Sequence, residues 1–205
     1  DDPKTFEEIK DAVKTGQFEL VGGSWVEPDC MMPTGEAFVR QRLYGMRFDQ
    51  QHFGRVPDTE WFLDSFGYNY GLPQILAKSG VKNFWTSKIT WNRQTVFPFV
   101  NFWWESPNGS KILTSNFQMG WGPMNTWMQY EIGRHPLKPG AQRTWCYKDE
   151  YENIGDHVDD NPENIIPPVG CFFGAGDGGR GPTHQEVAYA QVAASTGWAK
   201  WSRVE

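Results

Sequence analysis

The sequence has no long apolar run, few cysteines, no paired histidines and no excess of basic residues, and each shortage closes a class of function. No stretch of the 205 residues approaches the ~20 consecutive apolar positions of a membrane-crossing helix, so no membrane partner is expected. Cys30, Cys146 and Cys171 are odd in number and widely spaced, which makes neither a disulfide framework nor a CxxC zinc site. A reducing compartment suits them, and Asp1-Asp2-Pro3-Lys4 is not a signal peptide, so the expected location is cytoplasmic. His52, His135, His157 and His184 form no HxH or HExxH pair, and no complete metal site is legible. Lys and Arg number 19 against 25 Asp and Glu, giving a net charge of −6, and they are scattered rather than clustered. That balance excludes a nucleic-acid partner recognised through phosphate charge. Repeats, low-complexity runs and internal domain boundaries are also missing, leaving one domain over residues 1–205.

What is plentiful is aromatic surface. Aromatic residues make up 16% of the chain, including 11 Trp, against a hydrophobic share of only 39% and a mean hydropathy of −0.61. Indole has an apolar face and a single donor, which suits stacking on amphipathic ligands such as sugars. The same residues also fill cores, and composition does not separate the two uses.

Along the chain, Asp2-Pro3 is a helix start and Phe6, Ile9 and Val13 follow at helical spacing, with Gly16 as the stop. Residues 17–21 read as a strand delivering Gly22-Gly23-Ser24-Trp25-Val26-Glu27-Pro28-Asp29. Thr34 opens a second helix through Phe38, Leu43 and Met46 to about Phe53, with Glu36 near its positive end. Trp61 to Leu63 reads as a buried strand stopping at Asp64, and a short helix over 71–78 is closed by Gly80. A strand over 83–86 then ends at Ser87-Lys88. Strands alternating with helices predict an α/β fold, a parallel sheet with crossover helices.

Segments 97–105 and 111–117 flank the turn tetrapeptide Ser106-Pro107-Asn108-Gly109 and predict a hairpin. Residues 118–167 have weak periodicity and read as a long irregular active-site excursion with room for a helix. A strand over 169–173 leads into Gly174-Ala175-Gly176-Asp177-Gly178-Gly179-Arg180-Gly181-Pro182, and Thr183 starts a helix that runs to about Thr196 before Gly197.

In parallel sheets the loops leaving the C-terminal strand ends form the reactive face. That rule gathers Trp25 to Asp29, Asp64 to Tyr68, Ser87-Lys88 and the loop around Asp177 at one end. Glycosidic bond cleavage needs two carboxyl groups flanking the bond, one a nucleophile or base and one a proton donor. Asp64 and Asp177 are the candidate pair, against the plainer reading of Asp64 as a helix cap. Trp25 and Phe66 offer faces to a sugar ring, and the charge of Lys88 would favour an ionised Asp64. The glycine-rich loop before Thr183 also suggests anion binding at a helix start, but it lacks both the GK[ST] ending and GxGxxG spacing. His184 lies near that loop, but its position in a first helical turn favours a surface histidine.

Four ordered motifs carry a family likeness. They are Gly22 to Asp29, then Leu63-Asp64-Ser65-Phe66-Gly67-Tyr68 with Leu72-Pro73-Gln74-Ile75-Leu76. Phe102-Trp103-Trp104-Glu105 with Gly109-Ser110 and the loop from Gly176 to Thr183 complete the set. Together they resemble the catalytic domain of glycoside hydrolase family 38, the α-mannosidases, of the bacterial and cytosolic or vacuolar type. The resemblance implies a seven-stranded (β/α) barrel, a retaining mechanism on mannose-containing oligosaccharides and one divalent metal, usually zinc.

It further implies that Asp64 is both nucleophile and metal ligand, that Phe66 lies beside the sugar, and that Asp177 is the acid/base. Lys88 stands where some relatives have arginine, and Arg180 replaces one glycine of the usual run. The family's upstream His-x-Asp and downstream His-Asp motifs have no counterpart here. The remaining ligands are therefore expected outside these 205 residues, the chain being an internal fragment, inactive alone, of a larger enzyme. Self-association is left open. The rival readings are a non-catalytic carbohydrate-binding module stacking sugars on Trp25, Phe66 and the Trp-rich segment 118–147, and a metal-dependent polysaccharide deacetylase. Paired carboxylates at strand ends disfavour the first, and the lack of paired histidines weakens the second.

Overall fold

The computed structural model describes residues 2–89, 101–116, 142–147, 154–159, 181–197 and 200–204. Helix α1 (Pro3–Thr15) starts as expected, with the Asp2 carboxylate accepting from the Lys4 amide at 3.0 Å and Pro3 in the first turn, and it ends at Gly16. Helix α2 (Gly35–Phe53) starts where the Thr34 hydroxyl accepts from the Ala37 amide, and it ends at Gly54. The two helices meet through aromatic edges, Phe6 lying 5.3 Å from the His52 ring and 6.1 Å from that of Phe53.

Four strands make the main sheet: β1 (Thr59–Trp61), β2 (Asn83–Thr86), β3 (Asn101–Glu105) and β4 (Lys111–Asn116), in the order β1-β2-β4-β3. β1 pairs parallel to β2, and β2 parallel to β4. β1, helix α3 (Leu72–Lys78) and β2 therefore form the crossover unit expected from the alternation. β3 runs antiparallel to β4 as the expected hairpin, closed by the Ser106–Gly109 turn and a Glu105–Lys111 ion pair of 3.1 Å. The result is a mixed α/β arrangement around a mostly parallel sheet.

Three expectations need correction. Residues 17–21 form no strand: the Gln17 and Phe18 amides fold back onto the Ala12 carbonyl, and Gly22 and Gly23 follow with φ of +90° and +101°. One backbone bond, Gly22 N–H to the Thr59 carbonyl at 2.8 Å, is what ties the segment to β1. The first sheet strand also lies two residues earlier than its hydrophobicity suggests, because Thr59 and Glu60 are fully buried although polar. Asp64 thus sits three residues past β1, inside a loop. In the supposedly irregular stretch, β5 (Gln142–Tyr147) and β6 (Ile154–Asp159) form an antiparallel ladder with Gln142 opposite Asp159. The expected strand over 169–173 lies outside the described residues. Helix α4 (His184–Ser195) begins, as read, at Thr183, and its capping box with Glu186 closes at 3.2 Å and 2.7 Å.

The core beneath the sheet comprises Cys30, Phe38, Phe62, Leu72, Leu76, Val81, Phe84 and Ile112, with Tyr68 and Trp104 packed against it. Phe84 is its centre: Phe62, Tyr68 and Trp104 lie 5.7, 5.7 and 5.6 Å from its ring. Each aromatic of this size contributes about 1.5–3 kcal/mol by burial, so this cluster is what holds α3 and the loop after β1 on the sheet.

Candidate active site

Asp64 stands in the loop between β1 and α3, and residues from two other segments hold that loop. The Leu63 carbonyl accepts from the Ser87 hydroxyl at 2.6 Å, just past the end of β2. The Asp64 and Ser65 amides both donate to Oε1 of Glu27, the latter at 3.0 Å. The Ser65 carbonyl accepts from the Tyr68 hydroxyl at 2.8 Å, and that hydroxyl in turn accepts from Thr86. Ser65 Oγ donates to the Pro28 carbonyl at 2.8 Å. Few backbone groups of an irregular loop are satisfied this way without fixing its course.

Above this frame the Asp64 side chain is 68% exposed, and its Oδ1 meets Nζ of Lys88 at 3.0 Å. The lysine side chain is only 3% exposed, so the ammonium is a fixed charge rather than a waving surface one. Its Nζ also lies 5.0 Å from the centre of the exposed Phe66 ring. Three residues nominated from sequence, Asp64, Phe66 and Lys88, therefore come together at the C-terminal end of β1 and β2. The helix-cap reading of Asp64 fails, since Gly71 stands before α3 and no side chain caps it.

Trp25 takes a different direction. Its amide donates to the Gln41 carbonyl of α2 at 3.0 Å and its ring meets Phe48 edge-on at 5.8 Å. It lines a shallow pocket on α2 with Ala37, Arg40, Gln41 and Tyr44. Asp177 lies outside the described residues. His184 is an exposed residue of the first turn of α4, as its plainer reading held.

Glu27, Ser65 and Ser87 were not nominated from sequence. Glu27 stood in a loop noted for its acids, but a reach of 37 positions to the Asp64 amide leaves no local pattern. A second unannounced feature lies below the site. Arg42 of α2 donates to Oε2 of Glu60 at 2.5 Å, to the Gly22 carbonyl at 2.8 Å and to Ser79 Oγ at 3.1 Å, with both charged side chains buried. Burial raises the Glu60 carboxyl above its ordinary range, and the Arg42 guanidinium opposes that rise. Cys30 is a core residue whose thiol burial pushes up to about 11, so it is not a nucleophile at neutral pH.

For a divalent metal, Asp64 supplies one suitable donor: an exposed carboxylate whose Oδ2 has no partner among the described residues. Among those residues no group of three or more His, Cys, Asp and Glu gathers to hold an ion, so they offer one candidate donor and not a site. Among the described residues, too, no helix is long and apolar enough to cross a membrane.

Comparison with known proteins extends these observations. The chain is 38% identical over 182 residues to alpha-mannosidase G of Dictyostelium discoideum, covering 88% of this chain and 15% of that protein. It is 37% identical over 169 residues to alpha-mannosidase 2C1 of Mus musculus, covering 82% of this chain and 14% of that one. The chain thus spans about 15% of the length of these relatives. Among solved structures, the 4-alpha-glucanotransferase from Thermococcus litoralis shares the fold over 68% of this chain and 23% of its own, at 14% identity and a TM-score of 0.53. Residues 1–202 match the glycosyl hydrolases family 38 N-terminal domain, and the chain belongs to that family.

Proposed function

We propose that the protein containing this chain hydrolyses terminal α-mannosides of oligosaccharides with retention, through a covalent mannosyl ester on Asp64. The observation that carries the reading is the exposed Asp64 carboxylate held at a sheet's C-terminal end by the buried Lys88 ammonium, with the Phe66 ring alongside. The relatives' names supply the sugar.

In this mechanism Lys88 holds Oδ1 and leaves Oδ2 to approach the anomeric carbon. Asp177 gives its proton to the leaving-group oxygen as the glycosidic bond breaks and the Asp64–carbon bond forms. Asp177 then takes a proton from the water that attacks the same carbon, the ester bond breaks, and mannose leaves with Asp64 again a carboxylate. Phe66 offers its face to the sugar ring, and the exposed Trp25 would meet more distant parts of a glycan. Zinc, with Asp64 as one ligand and the others from outside this chain, would orient sugar hydroxyls when bound. The four-stranded sheet would be part of a seven-stranded barrel whose other strands lie beyond the described residues.

In the full-length protein, Asp64→Ala is expected to lower turnover of an aryl α-mannoside by about 10⁴-fold or more, with the folded state intact by circular dichroism. Near-normal turnover by that variant ends the assignment. Asp177→Asn is expected to slow substrates with poor leaving groups more than activated ones, because only the former need protonation.

A further inference from the structure

We infer that Glu27 is the positioning residue for Asp64, fixing the two peptides that flank residue 64 so that the nucleophile's side chain leaves its backbone in one orientation. The inference rests on the reading of Asp64 as nucleophile. One oxygen, Oε1 of Glu27, accepts from the Asp64 amide and from the Ser65 amide at 3.0 Å. Successive N–H groups on either side of the Asp64 Cα, converging on one atom, fix the two peptide planes that meet there, and with them the Cα–Cβ direction of Asp64. Lys88 then fixes the far end of the same side chain at Oδ1. The nucleophile is held at its root by an anion and at its head by a cation, each from a different loop.

Lys88 meets Oδ1 of Asp64, whereas no cation lies in a salt bridge with Glu27 among the described residues. Charge-assisted hydrogen bonds to backbone amides are stronger and shorter than neutral ones, so the acid is better suited than a neutral acceptor to hold a loop that carries a nucleophile. Positioning of this kind governs rate, since a displacement of about 1 Å at a reacting group costs on the order of a hundredfold.

The test uses the full-length protein with Glu27→Ala and Glu27→Gln, measuring kcat and KM on an aryl α-mannoside and amide hydrogen exchange at Asp64 and Ser65. Glutamine keeps a carbonyl acceptor of the same reach. Glu27→Ala is expected to lower kcat by about tenfold to a hundredfold while KM moves less than about threefold, and to speed exchange at both amides. Glu27→Gln is expected to recover most of kcat. A kcat for Glu27→Ala within about twofold of the parent, unchanged exchange, or equal impairment of the two variants at equal thermal stability overturns the inference. If Glu27→Ala speeds exchange while the parent protein turns over no α-mannoside, the positioning stands and the nucleophile reading falls. If Asp64→Ala abolishes turnover while Glu27→Ala changes neither rate nor exchange, the nucleophile stands and the positioning role falls.

Discussion

At the scale of single residues, the least expected partnership is that of Arg42 and Glu60. A polar pair at the interior positions of a helix and a strand contradicts the usual one-way burial of apolar groups, and it persists because each charge is matched and further bonded. Removing one member leaves the other buried and uncompensated. Arg42→Met is therefore expected to destabilise the fold by about 3–5 kcal/mol. The loss carries a pH signature. Glu60 is already raised above its ordinary 4.5 by burial, and without Arg42 the rise is larger. A raised carboxyl contributes stability below its unfolded value and loses it as pH climbs through its folded value. Asp49, also raised by burial and lowered by Arg42, acts in the same sense. The deficit in urea midpoint should thus be smallest in acid and grow towards neutrality; a deficit independent of pH refutes the pairing.

Among elements, α2 shows how a single atom decides a helix's neighbours. Its buried stripe is Phe38, Arg42, Gly45 and Asp49, whereas Leu43, read from sequence as part of the helix's apolar spacing, is 43% exposed. The stripe is polar and small because the loop 23–25 lies directly on the helix. A Cβ at Gly45 would stand 2.2 Å from the Gly23 carbonyl oxygen and 2.8 Å from the Trp25 amide nitrogen. Helix propensity favours alanine over glycine by about 1 kcal/mol. Overpacking against backbone costs about 1–3 kcal/mol or more, so the clash wins. Gly45→Ala is expected to lower the denaturation midpoint, which a urea titration measures, and a rise in midpoint would show that the loop yields freely.

For the whole molecule, the sheet and the family assignment are consistent with one another, and the chemistry is the proposal. The proposed mechanism makes a stereochemical demand that no local variant tests. Full-length protein acting on an aryl α-mannoside should release α-mannose first, with the β anomer appearing only by mutarotation, as followed by proton NMR. Initial release of the β anomer would require a water between two more widely separated carboxyls and would remove Asp64 as nucleophile.

Much of this was legible in the linear chain because the signals were local. Asp2-Pro3 and Gly16 bound α1, Thr34 and Thr183 start α2 and α4, and Asn83–Thr86 is a strand, each by chemistry acting within a few residues. Asp64, Phe66 and Lys88 were found for a similar reason: a parallel sheet sends the loops after successive strands to one end, so strand order alone brings them near each other. Polarity misled where burial is paid by a distant partner, as at Glu60, whose strand begins earlier than hydrophobicity marks. The segment 17–21 looked like a strand because its composition fits one, but two glycines with positive φ and bonds back to α1 gave its backbone groups other partners. The sequence by itself determined helix limits and the crossover order, and it nominated Asp64. Only the tertiary structure decided that Glu27 grips the backbone of Asp64 and that Trp25 turns to α2, because a hydrogen bond across 37 residues leaves no periodicity to read.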